Sequence, residues 1–436
     1  MKKVLIITYY WPPSGGAGVQ RMLKFVKYLH QLGVQITVIT VDPRKASYQL
    51  TDDSFLKDIP DDINVIKTNT FEPFNLYKSL GSKKEIPHSG FANETNPGFF
   101  QKASRFVRGN FFIPDARRGW NKYAYREAIK VIKNNKIDAI ITSSPPHSTQ
   151  LVGLKLKNKY NIPWVADLRD PWTDIYYYKQ MLHTSVAKWI DNKYERNVLE
   201  KSDAVLVVSK FIKNMFLTKS GKLDFNKINV LPNGFDADDF SVASKPPSDK
   251  FLITYTGTFA DIYDIDSLLE ALQMLLQKHP EAPVELNFTG KTTGSLSDKI
   301  KKYNLDKITT FKEYVPHKES VATILKSTIL LLVIPKMDKN EGILTGKLFE
   351  YLAAHKPILC IGPKHGDAAE IITECEAGTT FDYHETTLIY DFLLQNYLKW
   401  KSNPNLDLLY DKNNKYSRKQ LSLELYNILN DICKIS

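Results

Sequence analysis

Short apolar, β-branched segments alternate with helix-like segments along this chain, and the alternation starts afresh in its second half. Residues 4–8 and 34–41 are apolar and flank residues 19–32, where apolar side chains recur with helical spacing. The pattern restarts with an apolar segment at 251–255 and a helix-like segment at 266–278. Consecutive strand, helix and strand predict a parallel βαβ unit with a right-handed connection. Two series of such units predict an α/β protein with two Rossmann-like, doubly wound parallel sheets.

The domain boundaries follow from chain length and from turn-forming residues. A chain of 436 residues is too long for one ordinary core, so two domains of about 200 residues are expected. A Leu-Pro-Asn-Gly turn and a polar, proline-containing stretch at 241–250 mark the junction. We predict an N-terminal domain at 1–231, a C-terminal domain at 232–400, and helices within 401–436 that pack back toward the N-terminal domain.

One insertion, at about 78–120, differs from the rest of the chain. Residues 81–97 are polar and predict a loop. The residues after them mix aromatic and cationic side chains, namely Phe99, Phe100, Phe106, Phe111, Phe112, Trp120, Arg105, Arg108, Arg117 and Arg118. Such a mixture suits a membrane interface or an amphipathic ligand, or a loop whose aromatic residues fill a small core of their own. Arg117 and Arg118 are candidates for the acceptor side of a site.

Composition and charge limit the class of protein. The chain is 43% apolar and 25% charged, as in soluble globular proteins, and no apolar run approaches the ~18 to 20 residues that cross a bilayer. Residues 1–7 are expected to be a buried strand rather than a signal peptide, which favours a cytoplasmic location. The net charge of +11 serves solubility or attraction to an anionic membrane surface. No nucleic-acid motif accompanies the charge, so no nucleic-acid partner is expected.

Two glycine-bearing loops are candidates for binding phosphate. Gly15 and Gly16 follow the first strand and allow a ligand to approach the backbone, although a simple tight turn is the alternative. In the second half, Thr345 and Gly346 precede a helix whose free N–H groups favour a diphosphate. Lys347 and Glu350 lie three residues apart on that helix. Lys347 could neutralise phosphate and Glu350 could accept two ribose hydroxyls, or the two could form an exposed ion pair.

A third group of polar residues follows adjacent strands of the first domain. His147 comes after the strand at 137–142, and Asp167, Arg169 and Asp170 lie at the end of the next strand or just after it. Because ligands bind at the carboxyl ends of parallel strands, these side chains are predicted to line the acceptor side. The alternative for His147 is a structural or solvated loop histidine. The three cysteines of the chain have no metal-ligand spacing, and neither a metal nor another cofactor is expected.

Several segments, in order along nearly the whole chain, resemble the retaining glycosyltransferases of family 4, once called group 1, which have the GT-B fold. They are Pro-Pro-Ser-Gly-Gly at 12–16, Val-Leu-Pro-Asn-Gly-Phe-Asp at 230–236, Tyr-Thr-Gly-Thr at 255–258, Gly-Lys-Leu-Phe-Glu-Tyr-Leu-Ala-Ala at 346–354 and Tyr-Ser-Arg-Lys-Gln-Leu at 416–421. Each segment alone is weak evidence for the family, but their order and spacing together are specific to it. Asp-Leu-Arg-Asp-Pro-Trp at 167–172 resembles a bacterial subgroup that acts in cell-surface polysaccharide synthesis.

The resemblance implies two Rossmann-like domains facing each other across a cleft, with a nucleotide-sugar donor held mainly by the second. Glu350 matches a glutamate that binds the ribose, and His147 matches a histidine near the transferred sugar. The implied catalytic residues are His147 and Lys347. The implied donor-binding residues are Gly15, Gly16, Gly257, Thr258, Tyr314, Val315, Thr345, Gly346, Lys347, Leu348 and Glu350.

The sequence departs from the family pattern in two places. Eight residues rather than seven separate Glu341 from Glu350, with Gly342 at the position where an acid is expected. Thr258 and Tyr263 stand where the family has an arginine and a lysine that bind phosphate. Lys347 and the helix N-terminus are predicted to compensate for these two cations.

The resemblance implies transfer with retention and without metal, from a UDP- or GDP-sugar to a saccharide or lipid-linked saccharide acceptor in cell-surface polysaccharide synthesis. A peripheral position on the inner face of the plasma membrane goes with such an acceptor. Two alternatives stay open. One is a sugar-nucleotide 2-epimerase of the same fold. The other is a non-catalytic partner in polysaccharide assembly, which the missing arginine and lysine favour.

Overall fold

The chain forms two compact α/β units, each built on its own parallel sheet. The computed structural model describes residues 2–48, 50–72, 99–241, 247, 249–404 and 411–434. Unit 1 comprises Met1–Asn233 and Arg418–Ser436, and unit 2 comprises Gly234–Ser417. The sheets contain seven and six strands, all parallel. The predicted fold class, two doubly wound parallel sheets, is confirmed.

The sheet of unit 1 has the strand order β3-β2-β1-β4-β5-β6-β7. Its strands are β1 (Lys3–Thr8), β2 (Gln35–Val41), β3 (Asn64–Thr68), β4 (Ala139–Ser144), β5 (Trp164–Leu168), β6 (Ala204–Val207) and β7 (Ile228–Val230). Strand order reverses between β1 and β4, where Thr8 lies opposite Ser143. That reversal brings the loops after β1 and β4 to one edge, which is where ligands bind in such sheets.

The helices of unit 1 bury both faces of its sheet. They are α1 (Ala17–Gln31), α2 (Phe99–Phe111), α3 (Asn121–Asn134), α4 (Ser148–Tyr160), α5 (Ser185–Lys201) and α6 (Lys210–Leu217). Side chains of β1 alternate between two cores, with Leu5 and Ile7 on one side and Val4 and Ile6 on the other. Helices α3, α4 and α5 pack on the first side, and α1 packs on the second.

The helix near the end of the chain, α13 (Arg418–Lys434), belongs to unit 1 and packs on α1. Its buried residues Leu421, Leu425, Leu429 and Ile432 recur with helical spacing and join the core that contains α1. Each fully buried leucine contributes roughly 1.5–3 kcal/mol. Two side-chain contacts add to this packing: Lys2 Nζ donates to Leu429 O at 3.0 Å, and Arg418 donates to Gln20 Oε1 at 2.9 Å.

The sheet of unit 2 has the order β10-β9-β8-β11-β12-β13, which reverses between β8 and β11. Its strands are β8 (Phe251–Thr256), β9 (Val284–Thr289), β10 (Thr309–Lys312), β11 (Ile329–Val333), β12 (Ile358–Ile361) and β13 (Gly378–Phe381). Its helices are α7 (Asp266–Lys278), α8 (Gly294–Lys302), α9 (His317–Leu325), α10 (Gly346–Ala353), α11 (Asp367–Glu374) and α12 (Thr386–Ser402).

The structure differs from the sequence prediction at the insertion and at the C-terminal segment. Part of the predicted loop at 78–120 is helix α2, because apolar residues recur there every three to four positions. The predicted loop at 81–97 lies outside the described residues. The predicted C-terminal segment 401–436 is divided between the units. Residues 411–417 stay in unit 2, where Asn413 donates to Leu352 O at 2.8 Å, and the chain enters unit 1 at Arg418.

Candidate active site

The glycine loop after β1 in unit 1 is fixed at one end and open at the other. Gly15 N–H donates to Leu50 O at 2.9 Å, and Ser14 forms a β-bridge with Thr51. Gly16 immediately precedes α1 and has a φ of +91°, a conformation that favours glycine. A Cβ added at Gly16 would have no heavy atom within 4 Å. Gly16, rather than Gly15, is therefore the position of this loop where a ligand could approach the backbone.

A buried ion pair joins this loop's helix to the ends of β4 and β5. Arg21 on α1 contacts Asp167 at 2.9 Å, and both side chains are essentially inaccessible. Ser143 also donates to Asp167 at 2.8 Å, and Arg21 donates to Pro232 O at 2.7 Å. Removing one partner of such a pair leaves an uncompensated buried charge. Asp167 was predicted to line the acceptor side, whereas the structure buries it in this pair and gives both residues a positioning role.

Arg169 has a similar positioning contact. Its guanidinium donates to Ser144 O and to Gly18 O, each at 2.8 Å, so it ties the end of β4 to the start of α1. Burial lowers the pKa of Arg169 and raises that of the neighbouring Asp170. With two of its donors used by the backbone, Arg169 has fewer left for an acceptor. Acceptor contact by Arg169 and Asp170 stays a prediction.

His147 lies directly before α4, and it is a buried imidazole with unused hydrogen-bonding capacity. Its ring stacks on Trp172 with centroids 4.8 Å apart, and 8% of the residue is exposed. Neither ring nitrogen has a hydrogen-bond partner among the described residues. Burial, together with the positive charge of Arg169, lowers the pKa of His147 to about 3. The ring is therefore neutral at pH 7 and can donate one hydrogen bond and accept another.

The two arginines predicted for the acceptor side differ in their surroundings. The Arg117 guanidinium lies over the rings of Tyr9 and Tyr10, at 5.3 and 5.5 Å from their centroids. Arg118 is exposed and donates to Ile113 O at 3.2 Å. Arg117 is thus packed against the residues that follow β1, whereas Arg118 points its charge outward.

In unit 2, Lys347 lies in the first turn of α10 and its amine faces the loop after β8. Lys347 Nζ donates to Tyr255 Oη at 2.8 Å and lies 4.5 Å from the centroid of the same ring. Desolvation lowers the pKa of Lys347 to about 8, which the charge of Glu350 partly offsets. A Cβ added at Gly257, whose φ is +98°, would lie 2.7 Å from Lys347 Cε. A side chain at 257 would therefore displace the end of Lys347, and the positive φ itself favours glycine.

Glu350 has a partner that the sequence analysis missed. His317 Nε2 lies 3.3 Å from Glu350 Oε1, and each side chain is about one-fifth exposed. The ion pair that the sequence spacing allowed between Lys347 and Glu350 does not form, because the lysine amine is held by Tyr255. The carboxylate of Glu350 keeps access to solvent beside Lys347.

The loop before α10 carries two buried oxygens that lack partners. Glu341 Oε2 and Thr345 Oγ1 have no hydrogen-bond partner among the described residues. Thr345 occupies the N-cap position of α10, but its side chain makes no capping bond. Buried polar atoms are normally satisfied, so such a pair indicates that a ligand or water completes the loop.

The other predicted donor residues divide into exposed and buried positions. Thr258 is exposed, and its carbonyl accepts from Tyr255 Oη at 2.7 Å. Tyr314 is 64% exposed and Val315 is half-buried, in the segment after β10. Leu348 stays a predicted donor contact only through its backbone at the start of α10. Its side chain is fully buried in the core of unit 2, and its N–H donates to Thr345 O at 3.3 Å.

Two Asp-x-Asp spacings occur in unit 2, and each has a structural use. Asp236 accepts from the N–H of Asp238 at 3.2 Å, and Asp264 accepts from Lys336 Nζ at 3.1 Å. Across the part of the chain that the structure describes, no cluster of three or more histidine, cysteine, aspartate or glutamate residues could hold a metal ion. None of the described helices is long and apolar enough to cross a membrane.

Two family models match the chain, one after the other. The model for Glycosyltransferase Family 4 matches residues 15–239, and that for Glycosyl transferases group 1 matches residues 236–393. The first match alone spans more than half of the chain. The protein is a family 4 glycosyltransferase. This glycosyltransferase matches no curated protein sequence.

Solved structures share the GT-B fold of the glycosyltransferase over its full length. Sucrose-phosphate synthase from Thermosynechococcus elongatus is 14% identical with a TM-score of 0.61, covering 100% of both chains. Anabaena HepE in complex with UDP and glucose is 12% identical with a TM-score of 0.60, covering 99% of this chain and 100% of that one. A variant of S. aureus TarM in complex with UDP is 13% identical with a TM-score of 0.59, with the same coverage.

The sequence analysis of this glycosyltransferase assigned no role to Tyr255, His317 or Glu341. Tyr255 belongs to a motif quoted for the resemblance, but its contact with Lys347 spans 92 positions. His317 lies 33 positions before Glu350, with no spacing to connect them. Glu341 did have a signal, the unusual eight-residue interval before Glu350.

Proposed function

We propose that this glycosyltransferase moves a hexose from a UDP- or GDP-sugar to a saccharide or lipid-linked saccharide acceptor, with retention and without a metal ion. Its place would be cell-surface polysaccharide synthesis in bacteria, at the inner face of the plasma membrane. The membership of family 4 supports the reaction class. HepE, whose structures are described with UDP and with UDP-glucose, supports the choice of donor by similarity of fold.

The observation that carries the proposal is the position of the Lys347 amine. It lies at the start of α10 and against Gly257, in the loop where Thr258 replaces the arginine that the family has. The N-terminus of α10 adds a partial positive charge and free N–H groups. Lys347 and this helix would together neutralise a diphosphate. They would replace the arginine and the lysine that the family carries in the loop after β8.

The neighbouring residues suit the rest of a nucleotide. Glu350 is one turn further along α10, and its carboxylate would accept the two ribose hydroxyls while His317 holds its other side. Thr345 and Glu341 would each gain a partner in a bound donor, which removes the cost of leaving them unsatisfied. Exposed Tyr314 and half-buried Val315 would cover the base.

Unit 1 offers groups that suit a sugar. His147 is neutral and has both nitrogens unused, so it would hydrogen-bond hydroxyl groups without competing for the charge of a phosphate. Gly16 leaves open space at the backbone after β1. Arg117 and Arg118 would serve an anionic acceptor, the first through its fixed position and the second through its exposure.

The rate of sugar transfer depends mainly on stabilisation of the leaving diphosphate. Transfer breaks the bond between the anomeric carbon and a diphosphate oxygen, and the acceptor hydroxyl oxygen forms the new bond while its proton passes to the leaving diphosphate. Negative charge develops on the diphosphate as the bond breaks. Preorganised cations and N–H dipoles placed at that charge lower the barrier without a metal. We assign this role to Lys347 and the N-terminus of α10.

Nucleotide binding tests the donor site directly. The melting temperature should rise with UDP or GDP and their hexose sugars in the presence of EDTA, because a ligand that binds only the folded state stabilises it. Glu350→Gln should weaken binding about tenfold or more by removing a charged acceptor of ribose hydroxyls. The matched control is Glu319→Gln, at an exposed position of α9, which should bind as the wild type does. Equal binding by both variants would show that Glu350 does not hold the ribose.

Product analysis separates the three activities. Incubation of the sugar nucleotide without an acceptor should leave it intact apart from slow hydrolysis, whereas a 2-epimerase would convert it. With a saccharide acceptor, the anomeric configuration of the product, read by NMR coupling constants, should match that of the donor. Binding to none of the nucleotides would favour the non-catalytic partner, for which the loss of the family's arginine and lysine is the argument.

A further inference from the structure

A groove between α3 and α4 in unit 1 shares only Arg118 with the site described above. It is a cavity of about 480 Å³ whose wall carries four cations, Arg118, Lys122, Arg126 and Lys155. Its floor is made of apolar and aromatic side chains, among them Ile129, Leu151 and Tyr194. None of the described residues that line it is acidic. The lining is therefore suited to a ligand that is anionic at one end and apolar at the other.

The arrangement follows from helix periodicity. Arg118, Lys122, Arg126 and Ile129 follow one another at intervals of three or four residues, so they share one side of α3 and the turn before it. Lys155 lies on α4 opposite them, with its amine 5.9 Å from the ring centroid of Tyr125. All four cations are exposed, and none forms an ion pair within the described part of the chain. The one nearby acid on α3, Glu127, pairs with Lys130 at 2.8 Å.

An exposed aromatic patch adjoins the groove along α5. Tyr194 of α5 lines the groove, while Val186 and Trp189 on the same helix are 67% and 62% exposed. Lys193 lies over the Trp189 ring, 5.0 Å from its centroid. We define the aromatic patch as the exposed apolar residues of α2, of α5 and of the turn between Tyr178 and α5, namely Phe106, Val107, Phe111, Leu182, Val186 and Trp189.

Hydrogen bonds hold α2 against the start of α5, so the patch is one surface. Asn110 donates to Leu182 O at 3.1 Å and accepts from Thr184 N–H at 2.7 Å. A Cβ added at Gly109 would lie 2.4 Å from Met181 O, so the two backbones are in close contact. An exposed apolar surface of this kind marks a docking site rather than ordinary solvent-facing structure.

The acidic side chains of α5 are more buried than its basic side chains. Two of its three acids, Asp191 and Glu195, are each about 1% exposed, and Asp191 accepts from Trp172 Nε1 at 2.8 Å. The third, Glu200 near the end of the helix, is half-buried and accepts from Ser220 Oγ at 2.7 Å. Its bases Lys188, Lys193, Arg196 and Lys201 are exposed. The surface that carries the aromatic patch is thus cationic, since the acids nearest to it in sequence are buried. Aromatic side chains with lysine and arginine around them suit the headgroup region of an anionic bilayer.

We propose that the face of unit 1 formed by α2, α3, α4 and α5 is seated on an anionic lipid bilayer, with one lipid phosphate held by the four cations of the groove. The lipid's apolar portion would cover Ile129, Leu151 and Tyr194, and the aromatic patch would enter the headgroup boundary. This deepens the proposed membrane location by naming its surface. It needs no donor, so it is tested independently of sugar transfer.

The experiment is co-sedimentation of the full chain with vesicles of phosphatidylcholine alone or mixed with phosphatidylglycerol. Binding is expected only to the mixed vesicles and should weaken as salt is added. A groove variant, Arg118→Gln with Lys122→Gln, Arg126→Gln and Lys155→Gln, should bind on the order of a hundredfold more weakly, since each cation near the surface contributes to binding. Failure of the wild type to bind mixed vesicles overturns the proposal.

The control removes the same charge from other parts of unit 1, through glutamine at exposed Lys57, Lys67, Lys136 and Lys222. It should bind within a few-fold of the wild type. Equal losses in the two variants would mean general attraction by net charge and would overturn the headgroup site. Both variants should keep the melting-temperature response to nucleotide, which shows that they are folded and that donor binding is separate.

Fluorescence tests the aromatic patch. Mixed vesicles should shift tryptophan emission to the blue in the wild type, and Trp189→Phe should remove most of that shift while keeping an aromatic ring. Val186→Ser with Trp189→Ser should weaken vesicle binding about tenfold or more, by loss of the apolar area that enters the interface. An unchanged shift in the Phe variant would exclude Trp189 from the interface.

Discussion

At the scale of single residues, the most informative contact is that of Lys347 with Tyr255. An amine in water has a pKa near 10.4, and desolvation beside an aromatic ring lowers that of Lys347 to about 8. The lysine is still mainly protonated at pH 7, but the charge of Glu350 only partly offsets its loss of hydration. A diphosphate placed beside it would supply the missing negative charge. The same contact that costs stability in the free protein therefore favours a charged ligand.

We predict that donor affinity depends on pH through this amine. Affinity for the sugar nucleotide should be steady at pH 6.5–7.5 and fall above about pH 8, as free Lys347 loses its proton. Binding near pH 8.5 should take up a proton, because the bound diphosphate raises the pKa of the amine. Calorimetry in buffers of different ionisation enthalpy measures both effects.

Lys347→Met should abolish the proton uptake and weaken binding about tenfold or more by removing a charge-assisted contact. Lys326→Met, an exposed lysine of the same unit, is the matched control and should keep both properties. Proton uptake that persists in the Met variant would assign the titration to a different group.

At the scale of elements, α5 fixes the surroundings of His147 through Trp172. Trp172 has a φ of +24°, an unfavourable value for a bulky residue, and it stacks on His147 on one side. Its indole N–H donates to Asp191 on α5 at 2.8 Å. Burial raises the pKa of Asp191 to about 7, although the hydrogen bond from the Trp172 indole acts the other way. A buried helix residue thus sets the position of the ring beneath the histidine.

We predict that Asp191→Asn changes the pH dependence of stability. A carboxyl whose pKa is raised on folding contributes stability below its unfolded pKa of about 3.9 and loses it as pH rises to about 7. The stability of the Asn variant relative to the wild type should therefore increase between pH 4 and 7, by about 3 kcal/mol. Urea unfolding across that range measures it. Asp53→Asn, at an exposed position, should show no such trend. Parallel curves for Asp191→Asn and the wild type would mean that Asp191 is ionised in the fold.

At the scale of the whole molecule, two units with separate cores share one chain that passes between them twice. The second passage delivers α13 to the core of unit 1, while most of the proposed donor-binding residues lie in unit 2. Stability changes in the two units are therefore expected to be separable. A mutation in α13 should affect unit 1, and a nucleotide should affect unit 2.

We predict that Leu425→Ala lowers the stability of unit 1 by about 2–5 kcal/mol, since it empties a fully buried position. Leu423→Ala, on the same helix but 38% exposed, should cost about 1 kcal/mol or less. Calorimetry should then show the Leu425 variant losing stability in one transition, with the nucleotide raising the other. A nucleotide that shifts the transition lowered by Leu425→Ala would contradict the assignment of the donor site to unit 2.

The sequence by itself determined the alternation of strands and helices, because apolar periodicity reflects which faces must be buried. It therefore gave the fold class, the two sheets and the glycine-bearing loops at strand ends. It also gave the helix that carries Lys347 and Glu350, since their spacing is local. It did not show that the side chain of Leu348 is buried, because a motif does not state which of its side chains point into the core.

Only the tertiary structure decided the contacts between residues far apart in the chain. Lys347 could have paired with Glu350 by spacing, and it is instead held by Tyr255 because β8 and α10 meet at the reversal of strand order. The same holds for His317 beside Glu350 and for α13 beside α1. The α3–α4 groove also depends on tertiary structure, since Lys155 of α4 lies far along the chain from Arg118, Lys122 and Arg126. Sequence spacing fixes neighbours along one element, whereas packing between elements fixes which side chains share a site.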